Sequence, residues 1–130
     1  MYLIDTNIII FLFKGRFDIS KKINAKGKNN CFISEITLAE LKYGAEKSDN
    51  FEFHRKVVDD FVREIQVLPI INGLDTYAKE KTRLEKAGMK IDDFDLLIGA
   101  TAIINNLILV TNNTSHLSRI ENIKLEDWTK

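Results

Sequence analysis

Short apolar runs alternate along this chain with longer segments in which apolar residues recur at helical spacing. Tyr2-Leu3-Ile4 is apolar and stops at Asp5; after Thr6-Asn7 a second apolar stretch covers 8–13. That pattern predicts a buried strand followed by a helix capped by Asp5 or Thr6. A short lysine-rich helix is expected over 17–25, closed by Gly27 and the turn-forming Asn29-Asn30. Cys31-Phe32-Ile33 reads as the second strand, and Ser34 as the cap of a helix to about Tyr43, with Gly44 near its end. Over 51–64, Phe53, Val57 and Phe61 repeat at helical spacing, continued by Ile65 and widened by Val58 and Val62. A third strand is expected over 67–71, near an edge because Pro69 cannot donate to a ladder. A charged helix over 75–87 ends at Gly88, a helix over 94–105 is apolar on almost every side, and 107–110 and 124–126 supply the last strands.

Strands alternating with helices imply parallel pairing, so the expected fold is one α/β domain over 1–130. It is a three-layer α/β/α arrangement around a mostly parallel sheet of four to five strands. At 130 residues, with 45% apolar and 29% charged, the chain is an ordinary globular length and mixture. No apolar run is long enough to span a bilayer and no secretory pattern precedes the first strand, so a cytoplasmic protein without a membrane partner is expected. Cys31 has no cysteine or histidine neighbour at metal-ligand spacing and reads as a buried, inert thiol. The net charge is zero, which argues against a protein that coats nucleic acid through bulk charge. The distribution is uneven: Lys14, Arg16, Lys21, Lys22, Lys26 and Lys28 share a stretch whose only acid is Asp18. Taken alone, that stretch is a solvated helix face.

In open α/β sheets ligands bind at the carboxyl ends of strands. Asp5-Thr6-Asn7 and Thr111-Asn112-Asn113 fall there, and two further acids, Glu40 and Asp95, lie on adjoining helices. Each acid has a bland explanation: Asp5 as a cap, Asp95 as a first-turn acid, Glu40 as a flank residue reaching water. Together they point to chemistry, because several carboxylates at one sheet edge, with no lysine or arginine beside them in sequence, repel one another unless a cation lies between them. Carboxylate and amide oxygens without histidine or cysteine favour Mg²⁺ or Mn²⁺ over zinc, and such an ion suits in-line phosphoryl displacement. His54 and His116 read as surface residues. Neither a Gly-rich phosphate loop nor a nucleophilic-serine motif is present.

Leu3-Ile4-Asp5-Thr6-Asn7, Ile33-Ser34-Glu35-Ile36-Thr37-Leu38-Ala39-Glu40-Leu41, Phe94-Asp95-Leu96-Leu97-Ile98-Gly99-Ala100 and Leu109-Val110-Thr111-Asn112-Asn113 together resemble the motif series of VapC-type PIN-domain toxins. Leu125-Glu126-Asp127-Trp128 is similar to a common closing motif of that family. The resemblance implies a PIN fold, dependence on Mg²⁺ or Mn²⁺, endoribonuclease activity on RNA such as tRNA, and inhibition by a cognate antitoxin. It assigns Asp5, Glu40 and Asp95 as catalytic and metal-binding acids. It places Asn113, with Asn112 beside it, where many members carry a fourth acid, and matches Thr6 and Thr111 to hydroxyls that orient carboxylates or water.

Within that reading Lys14, Arg16, Lys21 and Lys22 form an RNA track. Phe51 and Phe53 form, with the helix carrying Glu40, a groove for an antitoxin helix or a second copy in a homodimer; Val57 and Phe61 go to the core. An alternative is a catalytically weak interaction module that keeps the fold and binds protein or nucleic acid; Asn113 in place of an acid is its best support. A phosphatase or phospho-acceptor using Asp5 ranks last, because Asn7 and Asn112-Asn113 stand where such domains want an aspartate and a lysine.

Overall fold

In the computed structural model, which describes residues 1–130, the five strands and six helices expected from periodicity follow one another, and a seventh, four-residue helix that periodicity did not predict lies between the last two strands. They run β1 (Tyr2–Ile4), α1 (Thr6–Phe13), α2 (Ile19–Lys26), β2 (Cys31–Ser34), α3 (Glu35–Glu46), α4 (Phe51–Val62) and β3 (Gln66–Leu68). The second half supplies α5 (Leu74–Lys86), α6 (Asp93–Ile104), β4 (Ile108–Val110), α7 (Thr114–Leu117) and β5 (Leu125–Glu126). Short 3-10 turns at Lys28–Asn30 and Ile71–Gly73 lead into β2 and α5. No helix is long and apolar enough to cross a membrane.

All four strand pairings are parallel, and the sheet order is β3-β2-β1-β4-β5. β3 is an edge strand, as expected, but it ends at Leu68, so Pro69 lies beyond the ladder instead of within it. Successive strand side chains face opposite layers. Ile4 and Val110 point to a core shared with Ile8, Ile9, Ile23 and Val58; Leu3 and Leu109 point to one shared with Leu84, Leu96, Ile98 and Leu117. From central β1 the chain builds outward first through β2 and β3, then crosses back to β4 and β5. The carboxyl ends of β1 and β4 are therefore the switch point of the sheet, where an open α/β fold leaves a crevice.

Several local features differ from the sequence expectation. The Ser34-capped helix runs on through Gly44 to Glu46, because Leu41 and Ala45 continue its buried stripe. The small residues of α6 receive close neighbours from outside the sheet. A Cβ on Gly99 would lie 2.4 Å from the Ile120 Cδ1, and one on Gly73 would lie 3.3 Å from the Ala100 carbonyl carbon. Gly99 thus lets α7 and the segment after it seat on α6, which holds residues 111–117 over the switch point. On α4 only Val58 is buried, so its apolar stripe is wider than its covered face.

Candidate active site

Asp5 follows β1 directly and is only 5% exposed. It is the cap of α1: its Oδ1 accepts from the Thr6 backbone N at 2.8 Å, while Oδ2 accepts from the Thr111 hydroxyl at 2.8 Å across the β1–β4 pair. Capping and site-building are therefore carried by the same carboxylate. Burial raises its pKa above the ordinary aspartate value, against the lowering effect of those two hydrogen bonds.

Glu40 comes from α3, on the side where β2 lies. The Thr6 hydroxyl donates to Glu40 Oε1 at 2.7 Å, and the Thr37 hydroxyl lies 3.0 Å from the Thr6 hydroxyl. A hydroxyl has one hydrogen, so Thr37 supplies the second bond when Thr6 serves Glu40. Thr6 and Thr111, expected to orient carboxylates, each hold one. Thr37 is fully buried and was not singled out in the sequence; its position three residues before Glu40, one helical turn away, is the signal that could have found it.

Asp95 comes from the first turn of α6, which Asp92 caps through the Phe94 backbone N at 3.1 Å. Its pKa is pushed up to about 6, first by burial and then by the charges of Asp5, Asp92 and Glu40. Asp95 therefore feels the charges of both other acids, although the three reach the edge on three different elements. Asp92 belongs to this negative field. Asp93 does not: Lys81 and Tyr77 bind it at 2.9 and 3.0 Å, and Lys81 holds its pKa down.

Asn113 Nδ2 lies 3.4 Å from Asp95 Oδ2, and its backbone N donates to the Thr111 hydroxyl at 3.0 Å. The amide thus offers Asp95 a donor through Nδ2. Asn112, the neighbouring candidate, is exposed and lies outside this hydrogen-bonded set. His116, read from sequence as a loop-surface residue, lines the same cleft as Asp92, Asp95 and Asn113 and bonds Asn113 Oδ1 through Nδ1 at 2.8 Å.

The four basic candidates separate. Lys14 lines a groove that also contains Glu40. Arg16 stacks on Phe11 and Phe17, with its guanidinium carbon 5.5 and 5.0 Å from the ring centroids. Lys21 is exposed, and Lys22 donates to the Trp128 carbonyl, which ties α2 to the chain's last residues.

None of the seven ion pairs involves Asp5, Glu40 or Asp95. An unpaired, partly desolvated group of carboxylate oxygens fits a hard divalent cation by donor chemistry. No three histidine, cysteine or acidic side chains are closed around a common point as they would be about a bound ion. The fit thus rests on donor type and uncompensated charge.

The sequence profile of the PIN domain matches residues 2–123. The chain belongs to the PIN-domain family. Within that family it is similar to Ribonuclease VapC2 of Rickettsia felis, with 37% identity over 100% of this chain and 99% of the relative. The tRNA(fMet)-specific endonuclease VapC of Shigella flexneri is 35% identical over 98% of each chain. Among solved structures, VapBC2 from Rickettsia felis bound to a promoter DNA fragment superposes with a TM-score of 0.91, at 35% identity and 98% coverage of each chain. VapBC-1 from nontypeable Haemophilus influenzae gives 0.89 at 35% identity, covering 99% of this chain and 98% of that one. This PIN domain accordingly groups with the VapC proteins of that family, and the three-layer α/β/α fold expected from its sequence is the fold it has.

Proposed function

We propose that this PIN domain is the toxin of a toxin–antitoxin pair: an endoribonuclease that uses Mg²⁺ or Mn²⁺ at Asp5, Glu40 and Asp95 to cut a structured RNA such as tRNA. The observation that carries the reading is the cluster of acids at the β1–β4 switch point, with no basic partner and with Asp95 pushed up to about 6 by burial and then by its acidic neighbours. A divalent ion there supplies an activated water and offsets the charge that develops on the phosphoryl oxygens. Thr111 and Thr6 hold Asp5 and Glu40 in fixed orientations through hydrogen bonds of 2.8 and 2.7 Å. Asn113 gives Asp95 a donor in place of a fourth charge, which favours one tightly held ion over two. The test is cleavage of a total-RNA pool with Mg²⁺, with Mn²⁺ and with chelator, the cut ends being mapped. RNA that binds without metal-dependent cutting would instead support the interaction-module reading.

Metal binding should also be visible in stability. The ion binds the native arrangement and relieves repulsion, so the unfolding temperature should rise with Mn²⁺ or Mg²⁺ by an amount set by concentration over Kd. The pH dependence follows from Asp95. Its folded pKa, about 6, lies above the ordinary aspartate value of 3.8, so the metal-free native state binds the extra proton. That stabilising contribution is full below about 4 and is lost as pH rises through 6. The metal-induced shift should therefore be larger at pH 7.5 than at pH 5, and Asp95→Asn should shrink it. Equal shifts in wild type and Asp95→Asn would place the ion elsewhere.

The RNA track is proposed to start at Lys14, which shares the groove containing Glu40. Lys14→Gln should lower the slope of log affinity against log salt by about 0.7–0.9, one phosphate contact. Lys22→Gln should instead loosen the carboxyl-terminal segment it ties down. A slope that Lys14→Gln leaves unchanged removes this lysine from the track.

A further inference from the structure

We propose that His116 is a positioning residue of the carboxylate cleft, holding the Asn113 amide with its donor face toward Asp95. The inference rests on the metal-site reading above and adds to it a residue that lies outside the acidic set. Three observations meet here. His116 Nδ1 is 2.8 Å from Asn113 Oδ1; Asn113 Nδ2 is 3.4 Å from Asp95 Oδ2; and all three residues line one cleft. An amide has one accepting and one donating end, so what fixes one end fixes the other. With Oδ1 receiving Nδ1–H from the imidazole, Nδ2 must face the carboxylate. The flipped amide would oppose Oδ1 to an ionised Asp95 oxygen, two acceptors without a hydrogen between them. Nδ1–H is a donor in the corresponding neutral tautomer and in the imidazolium, so the relay does not depend on the charge of the ring.

The backbone is built for this contact. Thr111 accepts from the Asn113 N, Leu117 is 1% exposed and anchors α7, and His116 follows Asn113 by three residues, one helical turn. The Asn113–Asp95 contact is at the long end of the hydrogen-bond range, where an amide free to rotate would be lost to water. The imidazole keeps it in place. The expected consequence is a fixed Asp95 Oδ2, leaving Oδ1 toward the cation; partners of this kind are typically worth about 10–100-fold in metal affinity.

The probe is Mn²⁺ itself, titrated against the full chain and followed by the electron paramagnetic resonance of the free ion. His116→Ala should weaken binding by about 10-fold, the lower end of that range. His116→Asn, whose Nδ2 takes the place of Nδ1, should restore most of the loss. In an Asn113→Ala background His116→Ala should cost nothing further. His116 is exposed, so each variant should melt within a few degrees of wild type, and His116→Asn keeps the test valid should the alanine variant fold poorly. Unchanged affinity in His116→Ala, failed rescue by His116→Asn, or an equal loss with and without Asn113 overturns the relay. If Asp95→Asn binds Mn²⁺ as wild type does, the metal-site reading itself fails, which is a distinct result.

Discussion

Asp5→Asn is expected to lower metal-dependent RNA cleavage by about 10³-fold or more, the scale of losing a charged ligand from a site that works by electrostatic stabilisation. The fold should survive, because the amide can repeat the hydrogen bonds. Its Oδ1 keeps the bond from the Thr6 N, and Nδ2 donates to a Thr111 hydroxyl that rotates to accept. The helix cap is thus retained while the charge is removed. Burial raises the pKa of Asp5, and its charge helps to raise that of Asp95, so the substitution relieves both desolvation and repulsion. The metal-free variant should be at least as stable as metal-free wild type, and the stabilisation by Mn²⁺ should largely vanish. A protein that gains stability where it loses function is the sign of a site held under repulsion. Retention of more than a tenth of the activity would reduce Asp5 to a helix cap. The same RNA incubated with Asp95→Asn should show the loss without the pH-dependent part of the metal-free stability.

Much of this site was legible in the residue pattern because its parts lie where strand and helix periodicities change. Asp5 and Thr111 end apolar runs, so they had to fall at the carboxyl edge of a parallel sheet. Glu40 and Asp95 interrupt helices that are otherwise rich in apolar residues. What brings Asp5 and Thr111 together, 106 positions apart, is the β1–β4 pairing, with Ile4 opposite Val110. Pairing order is a tertiary fact that periodicity does not carry. The direction of the Asn113 amide was equally hidden, since it depends on a histidine three residues away on a four-residue helix too short to show a repeat. The charge pattern misled in another way. Six basic residues share one stretch of sequence, yet Lys26 lies over the Tyr2 ring at the amino end of β1, Lys28 pairs with Glu64 and Lys22 holds Trp128. Sequence proximity concentrated charges that the fold then disperses over its surface.

The groove beside Glu40 carries the second large effect. It holds about 410 Å³ between α1, α3 and α4, with Ile10, Phe13, Leu41, Phe53 and Val57 among its lining and Glu40 and Lys14 within it. Phe53 is 57% exposed there, whereas Phe51 lies in a separate depression among Glu52, Arg55, Lys56 and Asp59, so the two aromatics do not form one face. Val57 also lines the groove, and Phe61 packs edge-on against Phe13, with ring centroids 5.4 Å apart. An apolar channel with an acid inside it suits an amphipathic helix that carries one basic side chain, and under the proposed function that helix belongs to the antitoxin. A cation of the partner placed at Glu40 would compete with the metal for the same carboxylate, which links binding to inhibition. Phe53→Ser should weaken antitoxin binding by about 30-fold or more, the loss expected when a central aromatic anchor is removed. Since Phe53 is already mostly in water, the free toxin's melting temperature and its RNA cleavage should change little. Phe51→Ser, at its separate position, should leave the affinity within about twofold. Equal losses from both substitutions would show a partner that wraps α4 without entering the groove, and a large drop in melting temperature for Phe53→Ser would return that ring to the core.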